Sequence, residues 1–261
     1  MKKIKGHLDY FNLISKNEII SFAGITIFFI VMSMLNISDN LMVNFLRLTI
    51  SIILILITVY LYLSYNEFSY SHGKVMGRIN QFIISKLIWK GEGKLLDIGC
   101  GSGSLSILLA KKYKKAKIIG IDLWNNKIKN GKEKCEKNAK IEEVTNVEFV
   151  RADASNLPYE DETFDSVVSN FTFSKMKKNK DKKALIKEAL RVVKKDGKFA
   201  FHDIFENQKV FGDIEEIVDE LKEEGISEVH YIPNIEQCNF IPKILRTPIM
   251  LKDLGILYGK K

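Results

Sequence analysis

The chain has 261 residues, 46% of them hydrophobic and 28% charged, which suffices for a packed core and excludes a globally disordered chain. Forty Lys and Arg against 32 Asp and Glu give a net +8, a balance that suits an anionic surface or simply a solvated lysine coat. Cys100, Cys135 and Cys238 are too few and wrongly spaced for a disulfide framework or a zinc site, and the four histidines are scattered without ligand spacing.

In chain order, two apolar stretches come first. Residues 19–35 (IISFAGITIFFIVMSML) carry no charge; residues 41–63 carry only Arg47. A membrane-spanning helix needs about 20 apolar residues, so the first stretch is short but adequate and the second comfortable. Both are apolar all round, unlike the striped helices of a soluble core. The polar segment NISDN between them is short enough to make an antiparallel hairpin. Lys2, Lys3, Lys5 and Lys16 flank the first stretch, whereas the turn carries only Asp39. The positive-inside rule then places the N-terminus, and everything after residue 63, in the cytoplasm. A cleaved signal peptide fits poorly, because a second apolar run follows and SMLNIS is no small-x-small site. A buried helix pair and a dimerisation hairpin are the competing readings.

From residue 71 onward the pattern is that of ordinary soluble protein. Helices are predicted over 74–90, 104–115, 124–140, 181–195 and 213–224. Strands are predicted over 94–98, 117–121, 147–151, 164–169 and 198–204. The final 35 or so residues hold further strands whose order the pattern does not give. Such alternation predicts an α/β fold, a mostly parallel sheet with helices on both faces. Ligands then sit beyond the carboxyl ends of the strands.

The loop after the first of those strands reads LLDIGCGSG, residues 95–103. Gly99, Gly101 and Gly103 let backbone approach a ligand, and a helix N-terminus follows. The nicotinamide fingerprint needs a glycine at 104, where this chain has Ser104, and no Gly-Lys-Ser/Thr of a P-loop is present. Asp97 repels a pyrophosphate but suits a ligand bearing an ammonium or sulfonium. Asp122, at the end of the next strand, is placed to accept ribose hydroxyls. Asp153 with the backbone of Ala154 can grip the edge of adenine, with Leu123 and Trp124 over its face. Asn170 belongs to the segment SNFTF, residues 169–173, at the rim of the reaction chamber.

Taken in order, LLDIGCGSG, IIGIDL, VRADASNLPYEDETFDSVVSN and RVVKKDGKFAFHDIF resemble a class I S-adenosylmethionine-dependent methyltransferase, over residues 75–205. The likeness is greatest to small-molecule and quinone-precursor enzymes of that class. It implies a Rossmann-like sheet with S-adenosylmethionine as cofactor; the two transmembrane helices that precede it lie outside the common family core and are an added anchor, and no metal is expected. Asp97, Gly99, Cys100, Gly101 and Gly103 would border the methionine part, Asp122 the ribose, Leu123, Trp124, Asp153 and Ala154 the adenine. Asn170 would approach the methionine end. The prolines that follow the fourth strand in enzymes acting on DNA or glutamine amines are absent from SNFT, so no nucleic-acid substrate is expected.

His202 and Asp203, closing the fifth strand, are the candidates for a general base. Tyr70 and His72 lie where a lid over the cofactor could form. Residues 1–18 are read as a cytoplasmic segment, 19–63 as the hairpin, 64–74 as linker or lid and 75–261 as the methyltransferase domain. The expected whole is an enzyme of the cell membrane, its domain on the cytoplasmic side, acting on a small-molecule or lipid-like acceptor. A non-catalytic S-adenosylmethionine-binding scaffold and a nicotinamide-dependent oxidoreductase are the alternatives.

Overall fold

A computed structural model describes residues 8, 10, 12–35, 39–68, 74–124, 130–176 and 181–261. They divide into two compact units, 12–76 and, with the extreme N-terminus, 77–261.

The smaller unit holds two long helices, α1 (Lys16–Met34) and α2 (Leu41–Phe68). A capping box starts α1: the Ser15 side chain accepts from the Asn17 amide at 3.2 Å, and Glu18 takes the Ser15 amide at 2.9 Å. Both helices are long and apolar enough to cross a membrane. Their outward residues are bare: Ile27 is 61% and Leu56 64% exposed. Where the helices meet, hydroxyls pair. Thr26 bonds Thr58 at 2.7 Å and Ser33 bonds Ser51 at 2.8 Å. Each hydroxyl also lies within bonding distance of a carbonyl four residues earlier, so in each pair one O–H can go to the partner hydroxyl and the other to its own helix, without water.

In the larger unit the elements run α3 (Val75–Lys86), β1 (Gly93–Ile98), α4 (Ser104–Lys112), β2 (Ala116–Asp122), α5 (Gly131–Ile141), β3 (Val147–Arg151) and β4 (Phe164–Asn170). They continue with α6 (Lys182–Arg191), β5 (Val193–Asp203), α7 (Gln208–Phe211), α8 (Ile214–Glu223), β6 (Glu228–Ile232) and β7 (Gly255–Lys260). The seven strands are ordered β3-β2-β1-β4-β5-β7-β6. β1 to β5 are mutually parallel, and β7 runs antiparallel between β5 and β6. Strand order reverses between β1 and β4, the switch point beyond whose carboxyl ends such sheets bind ligands.

Side-chain alternation along the strands feeds two layers. Leu96, Ile98, Val167, Phe199 and Phe201 join α6 and α8 in one core on one face. On the opposite face Asp97 meets Ser106 of α4, and Asn170 meets Asn80 of α3.

Some boundaries differ from the sequence reading. The helix predicted to 195 ends at Arg191, with Val192 as its C-cap, because β-branched Val193 turns extended and pairs with Phe164. The helix predicted from Trp124 begins at Gly131 among the described residues; Trp124 itself sits at φ 41° and is not helical. The unordered C-terminal strands are β6 and β7.

Candidate active site

The glycine loop is folded by its neighbours. The amides of Gly99 and Cys100 both donate to the Ile121 carbonyl, at 2.8 and 2.9 Å, binding the loop to the end of β2. Gly99 adopts φ 74°, and a Cβ there would lie 2.1 Å from Thr172 Oγ1, so no other residue fits. Gly101, at φ 59°, differs: a Cβ on it meets nothing within 4 Å, so its backbone borders open space.

Asp122 closes β2 and faces that loop. One carboxylate oxygen accepts the Gly101 amide at 2.9 Å, the other the Trp124 amide at 2.8 Å. The Trp124 indole N–H returns to the Gly101 carbonyl at 2.7 Å, so its ring lies against the loop. Leu123 next to it is 42% exposed.

Asp97 is almost fully buried and accepts a bond from the Ser106 hydroxyl. Burial pushes its carboxyl up to about 7; the Ser106 bond opposes this and the nearby charge of Asp122 adds to it. Cys100 is buried too, and its thiol is raised by burial and then by Cys135, which makes it inert packing rather than a nucleophile.

Asp153 lies at the surface, one carboxylate oxygen accepting the amide and the hydroxyl of Ser155 at 2.9 and 2.8 Å. The Ala154 methyl belongs to the core, so only its backbone can meet a ligand. Asn170 ends β4 and bonds Asn80 and His202, each at 2.9 Å. Asp97, the glycine loop, Asp122, Trp124 and Asn170 are thus gathered at the carboxyl ends of β1, β2 and β4.

The two candidate bases fare differently from expectation. Both oxygens of Asp203 are taken by backbone amides, Ser174 at 3.1 Å and Ile204 at 2.9 Å, and burial raises its pKa. It pins the turn after β4, with a backbone amide on each oxygen. His202 is fully buried, and burial lowers it to about 3, so it is neutral at physiological pH. Tyr70 and His72 lie outside the described residues.

Asn80 went unnoticed in the sequence, and Thr172 entered only as part of the rim segment SNFTF. Thr172 donates to the Ile98 carbonyl at 2.9 Å while filling the space beside Gly99. For Asn80 there was a signal: a polar residue next to Ile79 on the apolar stripe of a helix.

The residues present fit S-adenosylmethionine. A buried carboxyl destabilised by a second carboxylate favours a positively charged ligand. The open backbone at Gly101 gives it room.

A glycine loop flanked by acids at the switch point of a 3-2-1-4-5-7-6 sheet defines the class, and comparison with known proteins agrees. A family model described as "Methyltransferase domain" matches residues 90–240, more than half of the chain. The chain belongs to that family, and within it to the class I S-adenosylmethionine-dependent methyltransferases. A demethylmenaquinone methyltransferase of Bacillus mycoides (strain KBAB4) is 36% identical over 110 residues, covering 42% of this chain and 44% of that one. Its counterpart in Staphylococcus saprophyticus is 32% identical over 116 residues, covering 44% and 46%. The match spans less than half the length of these curated relatives. The crystal structure of the [4+2]-cyclase SpnF superposes with a TM-score of 0.54 at 18% identity, over 70% of this chain and 80% of that one, a likeness of fold alone.

Proposed function

We propose that the chain transfers a methyl group from S-adenosylmethionine to a small, lipid-soluble acceptor of the quinone-precursor kind, while anchored in the cell membrane by its N-terminal hairpin. The observation that carries this reading is the pairing of the glycine loop with Asp122 through the Gly101 amide at 2.9 Å, beside the buried acid Asp97. The names of the curated relatives support the acceptor class.

When bound, the cofactor supplies an electrophilic sulfonium methyl. The protein's share is position and charge. Gly99, Gly101 and Gly103 give close backbone approach to the methionine part, and Asp97 ionises to balance its positive charge. Asp122 keeps unused lone pairs for the ribose hydroxyls. Leu123 and Trp124 flank the adenine, with Asp153 and the Ala154 backbone at its edge. Asn170 lies nearest the reacting end. Asp203 acts indirectly, by holding the Ser174 turn. Tyr70 and His72 remain proposed parts of a lid. A quinone ring is electron-poor, so a carbon acceptor of this kind has to enter as the hydroquinone.

Flanking lysines support a cytoplasmic placement of the domain. The hairpin would hold the site near the bilayer, where such an acceptor dissolves.

The test is calorimetric titration of the full-length protein with S-adenosylmethionine, with NADH as control. Labelled-methyl transfer into the lipid and aqueous fractions of a host extract follows. Binding with label in the lipid fraction is the expected result. Binding without transfer would leave a non-catalytic scaffold, and binding of NADH alone would move the chain to the oxidoreductases.

A further inference from the structure

Beneath α3 the buried polar groups form one line. The Asn80 amide nitrogen donates to Ser104 Oγ at 2.9 Å. Asn80 Oδ1 accepts from the Asn170 amide nitrogen at 2.9 Å. Asn170 Oδ1 then faces His202 Nδ1 at 2.9 Å. Asn80 is 1% exposed and His202 0%. Four elements, α4, α3, β4 and β5, contribute one residue each.

The line has a direction. Both asparagine amides spend their N–H groups toward Ser104, so Asn170 Oδ1 is left as an acceptor and His202 Nδ1 must carry the hydrogen. In a neutral imidazole the lone pair then sits on Nε2. That atom is buried and has no partner among the described residues. An acceptor buried without a donor is costly, so it marks a place where a donor belongs. The wall beside it is aromatic: the Phe171 ring stands at 85° to the imidazole with centroids 4.7 Å apart. Phe171 itself sits at φ 53°, a conformation that bulky residues rarely adopt. Its amide, bonded to the His202 carbonyl at 2.8 Å, holds it there.

We propose that His202 Nε2 receives a neutral hydroxyl of the methyl acceptor, and that Asn80 is the positioning residue that fixes the imidazole tautomer which makes this contact. The identity of the ligand as the acceptor rests on the methyl-transfer reading above; the tautomer does not. A hydroxyl fits where other groups do not. A carboxylate or phosphate brings no hydrogen to a lone pair. An ammonium would be repelled by Lys175, whose Nζ stands 5.5 Å from the Phe171 ring centroid and whose charge already balances Asp203. The aromatic wall favours a hydroxyl carried on a flat ring.

The test uses full-length protein labelled with 15N-histidine, with the His202 signals assigned by their loss in His202→Gln. Protein saturated with S-adenosylhomocysteine is titrated with 1-naphthol and, in parallel, with 1-methoxynaphthalene, which has no O–H. The expected result is an Nδ1–H tautomer at His202 in the free protein, an Nε2 resonance that moves with 1-naphthol, and about tenfold weaker binding of the methoxy compound. Asn80→Leu should mix the tautomers and erase the preference. Asn80→Asp, which can still accept from Asn170, should keep both. An Nε2–H tautomer in the wild type overturns the proposal whatever the variants do. So does equal binding of the two probes, which would leave Nε2 to an ordered water. Failure of S-adenosylhomocysteine to bind, with the tautomer as stated, would instead count against the methyl-transfer reading.

Discussion

Asp97 is held in a protonation state that a cationic ligand would reverse. Its folded value of about 7 lies above the 3.8 of an ordinary aspartate. Between those values the native protein keeps a proton that the unfolded chain has released. Asp97 therefore costs nothing below about pH 4; stability falls as pH rises toward 7 and levels off beyond it. The full effect is on the order of 4 kcal/mol. Asp97→Asn should keep the Ser106 bond, flatten the pH dependence of the urea midpoint between pH 5 and 8, and raise stability at pH 8. It should also weaken S-adenosylmethionine binding. An unchanged slope would assign the pH effect to another group. Asp122→Ala should weaken cofactor binding by about 1.5 to 3 kcal/mol, the worth of charge-assisted hydrogen bonds. Unchanged calorimetric affinity in a folded variant would remove Asp122 from the site. Both acids were legible in the sequence because each sits at a strand end beside glycines. The role of Asn80 and the bond of Thr172 were not, since their partners lie 90 and 74 residues away.

Among the elements, the end of α6 has a task that its amphipathic pattern did not announce. Arg191 binds Glu188 through Nε at 2.8 Å and Asp161 through Nη1 at 2.7 Å. It also donates to the carbonyls of Tyr159 and Leu157, at 2.9 and 3.2 Å. One guanidinium thus fastens the loop between β3 and β4 to the helix that follows. A lysine has neither the fork nor enough donors to copy this. Arg191→Lys should lower stability by about 1.5 to 3 kcal/mol, read from urea denaturation, and should speed amide exchange in residues 157–162. Equal exchange in the two proteins would mean that the loop is held by its own packing. The same corner shows why the α6 boundary was misjudged. Periodicity carried the helix on to residue 195, but the pairing of Val193 with Phe164 is a long-range contact that no local pattern reveals.

At the scale of the molecule, the sheet order follows from the alternation of elements only as far as β5. The insertion of β7 between β5 and β6 is a matter of tertiary pairing. The division at residue 76 or 77 gives a direct prediction: a chain begun at residue 74 should be soluble without detergent and should bind S-adenosylmethionine as the full-length protein does. Aggregation, or loss of binding in calorimetry, would show that the hairpin is part of the domain's folding rather than an attachment to it.

The hydroxyl pairs of α1 and α2 also determine how the hairpin can move. Thr26 and Ser33 are seven residues apart, as are Ser51 and Thr58, so the pairs recur along the seam at the heptad interval of a left-handed crossing. Sliding one helix by a single residue breaks both pairs at once, so intermediate alignments are not available. The hairpin is therefore keyed like a two-tooth ratchet. A force applied to one end would tilt or rotate the two helices together, as one strut, rather than draw one past the other.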